Sequence, residues 1–222
     1  MKQEATLSWS GGKAAGVAAL ILLAGAQAWA QKWTLGALVG YPFDSCSTVR
    51  QGAGSGRAGI ASGGLAGVEA GQDLYEHLGG EFRYLFRFSD LKVSAGASQV
   101  RFAGRSHLAH YDLLLYARGQ SARARPYVAI GGGVRLYQGT GEEAAFQPLS
   151  RYAILTRTRQ LTGMGSFGGG IKMKLGARSW LRFEMRDYLT PFPKTVIAPG
   201  PGAQLGKWLH DLAPMAAIGV NF

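Results

Sequence analysis

From Glu81 to Phe88 the chain alternates without a break: Phe82, Tyr84, Phe86 and Phe88 fall on one phase, and Glu81, Arg83, Leu85 and Arg87 on the other. Successive side chains of a strand point to opposite faces, so this segment is a β-strand with an aromatic side and a charged side. A helix would scatter the same residues around its circumference. The period recurs along the chain. Leu181, Phe183 and Met185 oppose Arg182, Glu184 and Arg186 between Ser179 and Tyr188. His110, Asp112, Leu114 and Tyr116 oppose Tyr111, Leu113, Leu115 and Ala117. Val128, Ile130, Val134 and Leu136 oppose Tyr127, Arg135 and Tyr137, and Phe167, Ile171, Met173 and Leu175 oppose Ser166, Lys172 and Lys174. Lys32 to Tyr41 reads as a first strand, Ile60 to Gly71 as a weaker second one rich in Gly and Ala, and Leu212 to Phe222 as the last. The set comes to about eight strands.

The connections carry a rhythm of their own. They are long around 42–59, 89–105, 139–160 and 190–210, and short near 72–77, 118–125 and 176–178. In an up-and-down meander every second connection lies on the same rim, so the long ones gather at one end and both termini at the other. With 34 Gly, 8 Pro and no long apolar run after residue 30, residues 31–222 read as one Gly-rich all-β domain without a transmembrane helix. The expected fold is an eight-stranded antiparallel up-and-down β-barrel.

Alternation alone does not say which face points inward. A soluble lipocalin-like carrier turns its apolar face in, whereas a membrane barrel turns it to lipid and fills the interior with polar groups. The polar phase mixes signs, with Glu81, Arg83, Arg87, Asp112, Arg135, Lys172, Arg182, Glu184 and Arg186. A narrow interior requires such mixing, because an unpaired buried charge costs several kcal/mol. These nine residues form the expected lumen charge network. Trp33, Tyr41, Tyr116, Tyr137, Trp180 and Tyr188 border the apolar faces and are expected to form interfacial aromatic girdles. Both features favour the membrane arrangement.

The first thirty residues fit a secretory signal. Lys2 and Lys13 precede the apolar run Ala14 to Ala26, and Ala28-Trp29-Ala30 offers small residues at the positions a signal peptidase reads. The run is shorter than the ~20 apolar residues a helical span needs. Cleavage is expected after Ala30, leaving Gln31 first, with cleavage after Ala28 as the alternative. Lys2 and Lys13 would leave with Glu4, so a formal charge of +11 becomes +10.

The last strand places Ala216, Ile218, Val220 and Phe222 on one face and stops on the aromatic. This ending resembles the closing strand of bacterial outer-membrane barrels, and the whole of residues 31–222 resembles the small eight-stranded group that includes the OmpA transmembrane domain and OmpX-like proteins. The resemblance implies short periplasmic turns, long external loops and a place in the bacterial outer membrane. It also implies insertion by the outer-membrane assembly machinery, with Ile218, Val220 and Phe222 as the signal read. No peptidoglycan-binding domain is expected after Phe222.

Signals for chemistry are weak. Gly163-Met164-Gly165-Ser166-Phe167-Gly168 matches G-x-G-x-x-G, but it opens an alternating strand and no helix follows, so strand packing explains it better than nucleotide binding. His107 and His110, three apart, fall on opposite faces of a strand, and His110 with Asp112 reads as an interior hydrogen bond. No G-x-S-x-G elbow occurs, and the single Cys46 provides neither a disulfide nor a metal cluster. No catalytic residue, metal or cofactor is expected. The basic loop residues Arg101, Arg105, Arg151, Arg157 and Arg159 are candidates for contact with lipid phosphates, which the guanidinium fork binds well. A nucleic-acid partner is not expected, since aromatics and arginines lie on opposite strand faces. The resulting expectation is a monomeric, non-catalytic surface protein in contact with outer-membrane lipid and lipopolysaccharide. A narrow pore, a lipid A-modifying enzyme and a soluble carrier are the alternatives.

Overall fold

A computed structural model describes residues 33–222; the signal expected over residues 1–30 lies outside them. The strands in chain order are β1 (Trp33–Gly40), β2 (Ser45–Gln51), β3 (Gly54–Ile60), β4 (Gly64–Asp73), β5 (Leu78–Phe88), β6 (Leu91–Ala95), β7 (Ser98–Phe102) and β8 (Gly104–Tyr116). They continue with β9 (Ala124–Gly139), β10 (Ala153–Leu155), β11 (Arg159–Lys174), β12 (Ser179–Pro191), β13 (Ile197–Pro199), β14 (Gln204–Leu205) and β15 (Trp208–Asn221). No helix occurs among the described residues.

Eight of these strands close an antiparallel barrel in the order β1-β15-β12-β11-β9-β8-β5-β4. Each neighbour in the wall is also the next barrel strand in the chain, so the topology is up-and-down. The first and last strands seal the wall, with Leu35 opposite Val220 and Ala37 opposite Ile218. At the seam Trp33 and Phe222 exchange both backbone bonds, at 3.2 and 3.0 Å.

The polarity of this wall is inverted relative to a soluble barrel. Arg83, Arg87, Arg135 and Arg186 are fully buried inside, while Val39, Phe82, Ile130 and Leu161 project outward and Ile130 is 67% exposed. A water-soluble arrangement would leave this apolar belt in contact with solvent at about 25 cal/mol per Å². Lipid removes that cost.

The aromatic girdle needs correction. Trp33 and Tyr41 are exposed on the outer wall, but Tyr116, Tyr137, Trp180 and Tyr188 are buried inside the barrel. Their phase decides it: Tyr116 follows Asp112 and Leu114, Tyr137 follows Arg135, Trp180 precedes Arg182, and Tyr188 follows Arg186 at spacings of two. Gly36 and Gly219, paired across β1 and β15, leave the space that the Trp180 ring occupies.

The long connections are structured rather than irregular. β14, β2, β3, β6 and β7 form a five-stranded sheet, and β10 pairs with β13. Both hairpins of the larger sheet turn on two residues led by a positive-φ glycine, Gly52-Ala53 and Gly96-Ala97. That turn chemistry suits the twist of paired strands. These pieces pack on a second apolar core of Val49, Ile60, Leu91, Val93, Tyr152, Leu155, Phe192 and Ile197. Tyr137 and Leu209, from the ends of β9 and β15, join the same core and tie the cap to the barrel.

Strand limits shift accordingly. Ile60 ends β3 rather than opening a barrel strand, and β15 begins at Trp208, ahead of Leu212.

Candidate functional site

The barrel interior holds two ion-pair clusters. In the first, Arg83 on β5 reaches Glu69 on β4 at 3.0 Å and pairs also with Glu81 and Glu184. Arg182 on β12 contacts Glu69 at 3.2 Å and pairs with Glu81. Arg186 donates to Glu184 at 3.1 Å and to Asp112 at 2.8 Å. The Tyr127 hydroxyl donates to Glu184, and His110 Nδ1 lies 3.1 Å from Asp112.

The second cluster sits toward the long-loop end. Asp211 on β15 accepts from Arg135 at 2.7 Å and from Arg87. Arg135 also donates to Ser106 at 3.0 Å. Arg87 donates to the carbonyls of Ala61 at 2.8 Å and Phe43 at 3.2 Å, so one guanidinium fastens the first long loop to the barrel. At the other end Arg125 grips Asp73 through two bonds of 3.1 Å and the Glu76 carbonyl at 3.1 Å, joining two short turns.

Arg83, Arg87, Arg135, Arg182 and Arg186 are thus buried against Glu69, Glu81, Asp112, Glu184 and Asp211, a one-to-one balance. Each charge would cost several kcal/mol if left alone, and pairing with added hydrogen bonds offsets this. Inward glycines make room for the pairs: a Cβ at Gly168 or Gly170 would collide with Arg186 or Glu184. Gly168 closes the G-x-G-x-x-G stretch, which lies wholly within β11.

All nine residues singled out for the lumen point inward, but not all join the pairs. Lys172 makes no ion pair among the described residues and lies over the Trp180 ring at 4.7 Å. Glu69, Asp211 and Tyr127 complete the clusters and were missed. Glu69 shares a phase with Leu65 in a Gly-rich segment of weak alternation, and Asp211 opposes Leu212 just beyond the strand start expected from sequence. Their parity was the available signal. The lumen retains a cavity of about 10 Å³ among Thr34, Asp73, Glu81, Lys172 and Arg182, room for about one water.

The basic loop candidates do not form one group. Arg105 and Arg159 belong to barrel strands β8 and β11 rather than loops. They face outward at the rim on either side of Gln138, with which both are in register, and Arg105 donates to it at 2.8 Å. Below Arg105 a groove of about 410 Å³ runs over Phe86 and Phe88. Arg101 lies on β7 of the outer sheet. Arg151 lies over the Tyr152 ring at 4.6 Å, and Arg157 is exposed beside Glu143, which accepts its backbone N–H. Ile218, Val220 and Phe222 project from the outer wall, Phe222 at 73% exposure.

Closed eight-stranded topology, a charge-filled interior and an apolar outer wall define the class: an up-and-down transmembrane β-barrel of the small outer-membrane type. One solved structure agrees on the fold. Neisserial surface protein A (NspA) aligns with a TM-score of 0.52 at 10% identity, over 86% of this chain and 97% of its own. The N-terminal β-barrel domain of Pseudomonas aeruginosa OprF aligns at 0.43 and 13% identity, over 85% and 97%. Ail, the attachment invasion locus protein of Yersinia pestis, solved with the heparin analogue sucrose octasulfate, aligns at 0.43 and 9% identity, over 86% and 99%. No family model and no curated protein sequence matches the chain.

Proposed function

We propose that this protein resides in the bacterial outer membrane as a non-catalytic barrel whose structured long connections face outward and carry a surface-interaction role. The observation that carries the reading is the inverted polarity of the wall, with paired charges inside and an apolar belt outside. Such a wall is stable only with lipid around it. Arg105 at the edge of the Phe86 and Phe88 groove, with Arg159 on the far side of Gln138 along the same rim, suits a lipid with an anionic head and acyl tails, so lipopolysaccharide is the expected neighbour. The terminal face of Ile218, Val220 and Phe222 is taken as the signal for the assembly machinery.

The filled lumen supports a structural role over a conduit. Among the described histidines, His107 contacts Tyr84, His210 and His110 contact Asp187 and Asp112 respectively, and His77 contacts the Tyr116 carbonyl, with no serine or cysteine side chain among these partners. Nucleophilic catalysis needs such a partner for the base.

The test is an epitope inserted between Gly96 and Ala97. Antibody staining of intact cells, together with recovery of the protein in carbonate-washed outer membranes, is expected. Recovery in the soluble periplasmic fraction would refute the reading.

A further inference from the structure

The five-stranded outer sheet has one face on the apolar core and one in solvent, and the solvent face is basic. Register determines which side chains share it. On β2 and β3, Arg50 opposes Ser55 and Thr48 opposes Arg57. Arg57 opposes Ser94 on β6, and Gly59 opposes Lys92. Lys92 opposes Arg101 on β7, and Ser94 opposes Gln99. Arg50, Arg57, Lys92 and Arg101 therefore step diagonally across four strands on a single face. Neighbouring side chains of this kind lie about 5 Å apart when opposite and about 7–8 Å on the diagonal.

Nothing on these strands neutralises the stripe, for β2, β3, β6 and β7 contain no Asp or Glu. Asp44, just before β2, pairs with Lys92 at 2.6 Å and offsets that one charge. Arg50, Arg57 and Arg101 are exposed, and the face between them carries hydroxyls and amides from Thr48, Ser55, Ser94 and Gln99.

We infer that this stripe is a binding site for a linear acidic polysaccharide outside the cell, an inference that rests on the outward orientation proposed above. Charge complementarity selects a polyanion, and the diagonal array selects an extended one. The face carries no aromatic side chain, whereas single-stranded nucleic acids are held by stacking. The stripe also climbs away from the membrane: Ser55, opposite Arg50, lies five residues before the end of β3, about 17 Å along the strand. Lipid phosphates face the separate rim row of Arg105 and Arg159.

The test uses the full protein folded in detergent micelles, with immobilised heparin as probe and neutral dextran as control. Wild type is expected to bind heparin and not dextran. The exposed triple variant R50Q/R57Q/R101Q, and the milder R57Q/R101Q if the triple fails to fold, should bind more than tenfold more weakly, while R105Q/R159Q changes binding less than twofold. Undiminished heparin binding by the folded variant overturns the inference. So does equal binding of a single-stranded oligonucleotide, or binding to lipopolysaccharide vesicles that heparin fails to displace. Outer-membrane recovery without heparin binding removes this inference alone; loss of outer-membrane recovery removes the reading beneath it.

Discussion

Asp211 accepts a hydrogen bond from Arg135 at 2.7 Å across the barrel interior, between strands that are not neighbours in the wall. Arg87 shares the same carboxylate and also holds the Ala61 carbonyl of the first long connection. One buried anion therefore couples barrel wall and cap. Asp211→Ala leaves two buried guanidinium groups facing each other and should cost about 3–5 kcal/mol. A markedly lower midpoint of urea unfolding in lipid vesicles is the expected result, while the exposed Arg157→Ala should stay within about 0.5 kcal/mol of wild type.

The Trp180 ring fills space left by Gly36 and Gly219. Gly219→Val drives a side chain into that ring and into the Leu35 backbone, and over-packing of this kind costs about 1–3 kcal/mol. Tryptophan fluorescence should report a displaced Trp180, with a lowered unfolding midpoint. Gly163→Ala, where an added Cβ meets open space, should leave both unchanged.

Asp44 lies outside the barrel strands, and the hydrogen bond from Lys92 holds its carboxyl below the usual carboxylate range, with the Ser62 N–H assisting and burial opposing. A depressed folded-state value means that the proton binds more tightly to the unfolded form. The contribution is fully present above the ordinary carboxylate value and is lost as pH falls through the lowered one. Because Asp44 is 40% exposed, solvent screening keeps the effect below about 1 kcal/mol. Limited proteolysis between Pro42 and Ile60 should accelerate below about pH 4, and Asp44→Asn should show that acceleration at neutral pH.

Phe222 meets the rest of the barrel through backbone bonds to Trp33, and its side chain is exposed. Phe222→Ser should therefore leave refolding from urea into vesicles within about twofold of wild type, a change under about 0.5 kcal/mol. Assembly in cells should fall severalfold, measured as the fraction of newly made protein that migrates as a compact unboiled band. Equal assembly of both proteins would deny the side chain a role as insertion signal.

The barrel was legible because strand parity is local. Glu81 to Phe88 and Ser179 to Tyr188 each display their two faces in a few residues, and the long-short rhythm of connections then leaves only a meander. What the sequence hid depends on partners distant along the chain. The cap core joins Val49, Leu91, Tyr152 and Ile197 from all four long connections, and none of these segments alternates for long enough to stand out. Gly52-Ala53 and Gly96-Ala97 were the readable hairpin signals. The lumen charges were visible by parity, but the pairing of Arg83 with Glu184 spans 101 positions. The girdle was misread because aromatic residues near strand ends were assigned by position, although Tyr137 and Trp180 keep the phase of Arg135 and Arg182.

The central claim is that the outer wall meets lipid. It is tested most directly by placing single nitroxide labels at Phe82, Tyr84 and Phe86 of β5, in a Cys46→Ser background, after refolding into vesicles. Collisions with membrane-dissolved oxygen should be frequent at all three positions, and collisions with a water-soluble nickel chelate rare. Free access of the chelate to all three, in protein that stays soluble without lipid, would contradict it.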